Sequence, residues 1–423
     1  MIRFGTDGIR GETGEHPITA EVAARVGRAA SALAGGGPVL VARDTRPGGE
    51  ALASAVLDGA AVQGSAALDL GVLPTSGLAA ALAGGLGAAG VMITASHNPA
   101  TDNGFKVLGA GGRKLSEAQT ARVEAWLENP PPAGISGSVR AAADPALAIY
   151  LRALVDALPA LGAVRGPVVI DLANGALTSV RPWMEALPFE VILIGGGDGQ
   201  INEGVGSEHL EHLGAAVRAT GARAGLAVDG DADRCRLVDA EGAPLAGDAV
   251  TWLLARGAGA IAVTVMSNAG LEASMPGVRV LRTPVGDKHL LEALAADPTL
   301  AVGAEESGHV VFPDALPTGD GLVTGLRALA LVGDQPLRDA VSGYRAFPRC
   351  IRKVRVTQRP ELDTVPGVAA AREEGLALLG QGRVFLRYSG TEPVLRVLVE
   401  GPEQALVDEV TARVCAAAQA ALS

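Results

Sequence analysis

The sequence predicts an α/β protein in which three similar mixed α/β regions are followed by a smaller α+β region. Three observations carry this. At 423 residues the chain exceeds what one hydrophobic core serves, so two to four domains are expected. Its apolar fraction of 48% is built on alanine, valine and leucine, with only 3% aromatics, which suits helices packed on Val/Ile/Leu strands. Short apolar strands alternate with helical segments to about residue 340 and then give way to a different pattern.

The elements follow in order. Thr19 to Ala34 reads as a helix with Thr19 as N-cap, stopped by Gly35-Gly36-Gly37-Pro38. Pro38 to Ala42 is a strand, Gly49 to Gly64 a helix, and Ala66 to Leu70 and Ala88 to Ile93 are strands. Glu117 to Leu127 is an amphipathic helix, and Asn129-Pro130-Pro131-Pro132-Ala133-Gly134 is the best linker. A second cycle runs through helix Pro145 to Leu158, strand Val168 to Asp171, a helix near Val180 to Ala186, strand Glu190 to Ile194, a helix near Leu210 to Thr220 and strand Ala224 to Val228. The third has helix Asp248 to Arg256, strand Ala260 to Val265, helix Leu290 to Ala295, strand Leu300 to Val302 and the helix Gly319 to Val332. After about residue 345 come strand Ile351 to Val356, helix Val365 to Leu379, strands Gly382 to Arg387 and Val394 to Glu400, and a final helix to Leu422.

Each of the first three cycles contains an apolar strand, a sharp polar loop and another apolar strand. These are Val91-Met92-Ile93 to Phe105-Lys106-Val107, Ala227-Val228 to Cys235 through Val238, and Ala301-Val302 to Val310-Val311-Phe312. Three hairpins with chemistry at their tips indicate an internal repeat. Net charge is −11 without a basic cluster, so nucleic acid is not an expected partner. No apolar leader follows Met1, and no apolar run is long enough for a membrane span. Cys235, Cys350 and Cys415 are far apart and lack metal-ligand spacing, so reduced thiols in a cytoplasmic protein are expected.

Five loops carry candidate chemistry. Thr94-Ala95-Ser96-His97-Asn98-Pro99 holds a hydroxyl beside an imidazole at the tip of the first hairpin. No Gly-x-Ser-x-Gly elbow surrounds Ser96, which argues against an acyl nucleophile. Asp229-Gly230-Asp231-Ala232-Asp233-Arg234 places three carboxylates at alternate positions in a turn, where they can converge on a hard divalent cation. It is no EF-hand, because Arg234 and Ala240 stand where glycine and glutamate are required, and Mg²⁺ is favoured over Ca²⁺. Arg387-Tyr388-Ser389-Gly390-Thr391-Glu392-Pro393 joins two strands and offers backbone N–H groups, hydroxyls and a guanidinium, a phosphate cradle. Glu305-Glu306-Ser307-Gly308-His309 offers groups suited to sugar hydroxyls, and Gly5-Thr6-Asp7-Gly8-Ile9-Arg10-Gly11 is a glycine-rich turn with one arginine.

In this order the five motifs resemble those of the α-D-phosphohexomutases over the whole chain. Phe4, Met266-Ser267-Asn268-Ala269-Gly270-Leu271-Glu272, Val285-Gly286-Asp287-Lys288 and Thr318-Gly319-Asp320-Gly321 are similar to the bacterial branch that acts on glucosamine phosphates. The resemblance implies four domains around a central cleft, divided here at 1–143, 144–238, 239–344 and 345–423. It implies a phosphoryl group on Ser96, and Mg²⁺ held by Ser96, Asp229, Asp231 and Asp233. A hexosamine 6-phosphate would be converted to the 1-phosphate through a 1,6-bisphosphate, feeding UDP-N-acetylglucosamine and cell-wall precursor synthesis. By the same carry-over Arg10, Lys106 and Arg234 stabilise phosphate charge, with Lys106 or His309 assisting proton transfer. His97 shapes the loop or touches phosphate, Glu305 and Ser307 grip sugar hydroxyls, and Arg387, Ser389, Gly390 and Thr391 hold the distal phosphate. The enzyme would be a monomer or homodimer.

Three departures stand out. Glu306 occupies a position usually held by an amide in glucosamine-type members, Thr94 one usually held by serine, and Ala232 one usually held by glycine. The Glu306 departure leaves mannose and glucose phosphates as alternative substrates. A Mg²⁺-dependent phosphatase and a non-catalytic sugar-phosphate binder are the other readings. Lasting phosphorylation of Ser96 separates a mutase from the phosphatase.

Overall fold

In a computed structural model, which describes residues 2–5, 7–132, 136–197, 199–389 and 392–423, the strands form four sheets. The first contains β1 (Ile9–Glu12), β2 (Val39–Arg43), β3 (Ala67–Val72), β4 (Ala89–Ile93), β5 (Asp102–Leu108) and β6 (Val139–Ala141), in the order β1-β5-β4-β2-β3-β6. The second has β7 (Val168–Asp171), β8 (Val191–Ile194), β9 (Ala224–Val228) and β10 (Cys235–Val238), in the order β10-β9-β7-β8. The third has β11 (Ala260–Thr264), β12 (Arg279–Thr283), β13 (Gly303–Ala304) and β14 (Val310–Val311), in the order β12-β11-β13-β14. The last is wholly antiparallel, with β15 (Arg349–Arg355), β16 (Arg383–Tyr388) and β17 (Val394–Glu400) in the order β15-β17-β16.

One topology recurs in the first three sheets. The runs β5-β4-β2-β3, β10-β9-β7-β8 and β14-β13-β11-β12 each consist of an antiparallel pair followed by two parallel pairings. Parallel pairing needs helical crossovers, and these cover the sheets. The antiparallel pairs are the three hairpins expected from the pattern. In the third, pairing starts at Gly303 rather than Ala301: Ala301 and Val302 run in along β11 (Ala301 N to Ala260 O and Ala262 N to Val302 O, both 2.9 Å), and the two-residue β14 reaches only Gly303 and Ala304.

The helix α1 (Ala20–Leu33) starts at Thr19, whose hydroxyl accepts from Val22 N at 3.3 Å. It packs on α2 (Gly49–Gln63) with backbones in near contact. A Cβ on Gly27 would lie 1.9 Å from Val56 O, and one on Gly59 2.1 Å from Ala24 O. Gly59→Ala therefore forces the helices apart. It is expected to cost about 1–3 kcal/mol despite alanine's better helix propensity, read as a lower denaturant midpoint. The sequence pattern missed the short strands β1 and β6, the one-turn helices Gly270–Ala273 and Leu337–Ala340, and two longer elements, the helix α3 (Thr75–Ala83) and the strand β12. The helix α3 is buried along nearly its whole length, so it has no polar face and no period to detect. The strand β12, Arg279-Val280-Leu281-Arg282-Thr283, is short, largely unburied and without a regular period of two, so it reads as a loop.

The chain divides into two compact units, residues up to Val265 with Arg279–Val341, and Met266–Val278 with Ser342–Ser423. In the second unit the helices Pro366–Leu379 and Gln404–Leu422 cover the sheet over a core that includes Val354, Val397, Val399, Val410 and Val414. Its least expected member is Glu400, fully buried on β17. Its carboxylate accepts from Arg349 Nε (2.5 Å), Arg383 Nε (2.6 Å) and Ala269 N (2.9 Å). The same arginines donate to Met266 O (2.7 Å) and Ser267 O (2.9 Å), so the 266–278 segment is stitched in by charge-assisted hydrogen bonds. Among the described residues, no helix is long and apolar enough to cross a membrane.

Candidate active site

The three repeated hairpins meet at their tips, all within the first unit. The first tip, between β4 and β5, carries Ser96, which is fully buried with φ +55°, in the left-handed region. Its hydroxyl donates to Asp229 Oδ2 at 2.6 Å and lies 3.3 Å from His97 Nδ1. Its backbone N–H donates to Thr94 Oγ1 at 2.8 Å, and that hydroxyl donates to the buried Asp44 at 2.6 Å. Thr94 thus serves as a turn-closing hydroxyl, a role serine also fills.

The second tip, between β9 and β10, carries Asp229, Asp231 and Asp233. All three are buried, and one carboxylate oxygen from each lies within 4.8 Å of the others. The turn is possible because Ala232 adopts φ +60°, the left-handed conformation glycine takes more readily. From β5, Lys106 reaches between the carboxylates, 2.7 Å from Asp231, 2.8 Å from Asp233 and 2.8 Å from Asp7. Even so, Asp231 Oδ1 and Asp233 Oδ1 remain buried without a hydrogen-bond partner. Burial and the adjacent Asp233 and Asp231 push Asp229 up to about 8. Burial also opposes the charge on Asp233, but Lys106 and His309 hold it well below the usual range. Three converging oxygen donors, two with unsatisfied lone pairs and one reluctant to ionise alone, fit a hard divalent cation.

The third tip, between β13 and β14, carries Glu305, Ser307 and His309. It meets the second through a backbone bridge between Arg234 and His309 and a hydrogen bond from Cys235 N to Gly308 O at 3.0 Å. His309 Nδ1 lies 3.6 Å from Asp233 Oδ1. Burial pulls the imidazole pKa down, but Asp233, Asp287 and Glu305 outweigh it and push it up to about 9. Glu305 accepts from Gly286 N (2.9 Å) and from Ser307 Oγ (3.3 Å). Burial and the cations Arg234 and Arg10 lower the pKa of His97.

Arg10 lies on β1, opposite Gly104 of β5, and donates to Asp7 at 2.6 Å. Asp7 also accepts from Lys106 and Lys114, and Lys114 pairs with Asp287 at 2.8 Å. A cleft of about 630 Å³ is lined by Asp7, Arg10, Asp233, Arg234, Glu305 and His309, among others. The four motifs of the first unit therefore converge, but Asp7, Lys114 and Asp287 join their charge network unannounced. Asp7 and Asp287 lie inside motifs noted in the sequence and Lys114 in none, but nothing local marks any of the three as a partner of the others.

In the second unit, Arg387 is exposed near the end of β16 and Ser389 is buried just beyond it. Ser389 N donates to Val394 O at 2.9 Å, and its hydroxyl accepts from Glu392 N at 3.3 Å. Gly390 and Thr391, with Thr6 and the linker residues Ala133 and Gly134, lie outside the described residues.

Residues 1–132, 246–347 and 352–417 match phosphoglucomutase/phosphomannomutase alpha/beta/alpha domain I, alpha/beta/alpha domain III and the C-terminal domain, respectively. The phosphoglucosamine mutase of Frankia alni is 42% identical over 99% of this chain and 98% of its own. That of Zymomonas mobilis is 38% identical over 97% of each. A phosphoglucomutase/phosphomannomutase family protein from Burkholderia thailandensis is similar in structure, with TM-score 0.78 and 25% identity over 98% of this chain and 97% of its own. The Aspergillus fumigatus N-acetylphosphoglucosamine mutase, solved with GlcNAc-6P and magnesium, shares the fold at TM-score 0.64 and 19% identity, over 100% and 96%. With these matches along its length, the chain belongs to the phosphoglucomutase/phosphomannomutase family, the α-D-phosphohexomutases.

Proposed function

We propose that the chain interconverts glucosamine 6-phosphate and glucosamine 1-phosphate through a phosphorylated Ser96 and a 1,6-bisphosphate. The observation that carries this is the Ser96 hydroxyl, buried and 2.6 Å from the first carboxylate of the aspartate triplet. The identity of about 40% to phosphoglucosamine mutases over nearly the whole chain supports the amino sugar.

In the transfer, the bond from phosphorus to Ser96 Oγ breaks as one to a sugar oxygen forms, and one proton passes in net from the sugar hydroxyl to Ser96 Oγ. The sugar then turns over and the other phosphate returns to Ser96. Phosphoryl transfer asks mainly for positioning and charge stabilisation, and the site is built for that. Asp229, Asp231, Asp233 and an oxygen at Ser96 would hold a divalent cation, Mg²⁺ in this reading, which when bound polarises the phosphoryl oxygens and offsets their charge. Lys106 and Arg234 offer positive charge beside the triplet, and Arg10 does so next to Asp7. Lys106, held well above its ordinary value against burial by Asp231, Asp233 and Asp7, and His309 are protonated near neutrality. They therefore stabilise charge and relay the proton as acids rather than as resting bases.

Glu305 and Ser307, already hydrogen-bonded to each other, present oxygens to sugar hydroxyls. His97 faces phosphate, and Arg387, Ser389, Gly390 and Thr391 hold the phosphate that does not react. Burial of Ser96 keeps water from the phosphoryl group. We read the four sheets as four domains, and the compartment as the cytoplasm.

The test compares kcat/KM for glucosamine 6-phosphate, mannose 6-phosphate and glucose 6-phosphate, with the mass of residues 91–106. The amino sugar should lead by about tenfold or more, one phosphate should persist on Ser96, and EDTA should stop turnover until Mg²⁺ is returned. A lead for either hexose phosphate overturns the substrate assignment. A Ser96 that never retains phosphate favours the phosphatase.

A further inference from the structure

We infer that Arg46 and Asn202 act together as positioning residues that lock the Ser96 loop in its reactive conformation, an inference that rests on the phosphoserine reading above. Arg46 lies just past β2, and its guanidinium is wholly buried. A guanidinium has five N–H donors, and all five are used within the protein. Nε donates to Asp44 Oδ2 (2.9 Å), and Nη2 to Ser96 O (2.6 Å) and Asn98 O (2.8 Å). Nη1 donates to Asp102 O (3.0 Å) and to Pro99 O. An arginine so saturated has no donor left for a phosphate. Its four carbonyl partners are the backbone of the serine loop itself.

Asn202 arrives from the second repeat, beyond β8. Its Nδ2 donates to the same two carbonyls, Ser96 O (2.8 Å) and Asn98 O (3.0 Å). Asn202 N donates to Ala173 O at 3.0 Å, which anchors it, and its φ is +61°. The other end of the Ser96 peptide is held through Thr94 and Asp44, and Asp44 is also Arg46's partner. Ser96 is thus gripped at its N–H and its carbonyl by groups from two repeats. A serine at φ +55° persists only where its surroundings over-determine it. Without the clamp, the backbone relaxes toward commoner angles and Oγ swings away from Asp229. The phosphoryl group is then misplaced for the sugar and open to water.

The decisive variant is Asn202→Gly, which removes the amide while a glycine keeps φ +61° without strain. Arg46→Lys and the double variant complete the cycle. For Asn202→Gly, kcat should fall about 10- to 100-fold with KM within about threefold, the scale expected when a reacting group is misplaced by about 1 Å. Phosphate released to water per mutase turnover should rise about tenfold. Amide hydrogen exchange at residues 95–104 should quicken while the thermal midpoint holds. Because both side chains grip Ser96 O and Asn98 O, the double variant should lose less than the product of the single losses.

A wild-type kcat, an unchanged hydrolysis ratio, unchanged exchange at 95–104 or fully additive losses overturn the clamp. If Arg46→Lys does not fold, Asn202→Gly decides alone. If the unmodified enzyme turns over none of the three sugar phosphates, the functional reading fails, and hydrogen exchange, which needs no substrate, still judges the clamp.

Discussion

Ser96→Ala is expected to leave less than about 10⁻⁴ of wild-type mutase turnover and no phosphate on residues 91–106, with the fold intact. Only the hydroxyl oxygen can carry the phosphoryl group between the two positions of the sugar. The fold should survive, because this protein already holds an alanine in the left-handed region at Ala232, φ +60° beside +55° at Ser96. The lost hydrogen bond to Asp229 leaves a carboxyl already inclined to keep its proton. A thermal midpoint within a few degrees of wild type, measured with turnover, separates chemical loss from unfolding. Substantial turnover in this variant would falsify the covalent mechanism.

Lys106→Met should have the largest effect on stability. The substitution keeps an unbranched apolar stem of four atoms but strips Asp7, Asp231 and Asp233 of the ammonium group they share at 2.7–2.8 Å. Removing one partner from a buried ion pair typically costs about 3–5 kcal/mol, because the remaining charge stays buried. In EDTA the variant should therefore unfold at a clearly lower denaturant concentration than wild type. Mg²⁺ at a hundredfold excess over the variant's Kd should raise its stability by about 2.7 kcal/mol over its value in EDTA, since a cation among the carboxylates supplies the missing charge. Turnover should still fall by about 10²-fold or more, because the phosphoryl group loses a fixed cation. Equal unfolding of variant and wild type in EDTA would sink the idea that Lys106 stands in for positive charge at the triplet.

How far the sequence could be read depended on the kind of interaction. The hairpins were legible because an apolar run, a polar turn and a second apolar run are local. The aspartate loop was legible because three acids between apolar strands are costly without a cation, and the Ser96 loop because it stands in order with the other motifs of the family it resembles. The helix α3 was not, since burial on every side erases the period that would betray it. Asp44 and Arg46 read as ordinary loop residues, because their partners lie 50 positions or more away, at Thr94, Ser96 and Asn98. Asn202 reaches the same carbonyls from a different repeat, a meeting that only the fold creates. Asp7, Lys114 and Asp287 were hidden for the same reason: a network of charges is a property of the assembled site.

The burial of Glu400 bears on how this enzyme could be recombined. The C-terminal family match covers residues 352–417, yet the partners that satisfy this carboxylate include Ala269, and its two arginines reach Met266 and Ser267. A chimaera that exchanged only the contiguous C-terminal stretch with a relative would separate these partners. It would set a buried charge against carbonyls and N–H groups from a foreign segment. The transferable module is discontinuous, residues 266–278 plus 342–423, and lineages that shuffled these enzymes would have had to carry both pieces together.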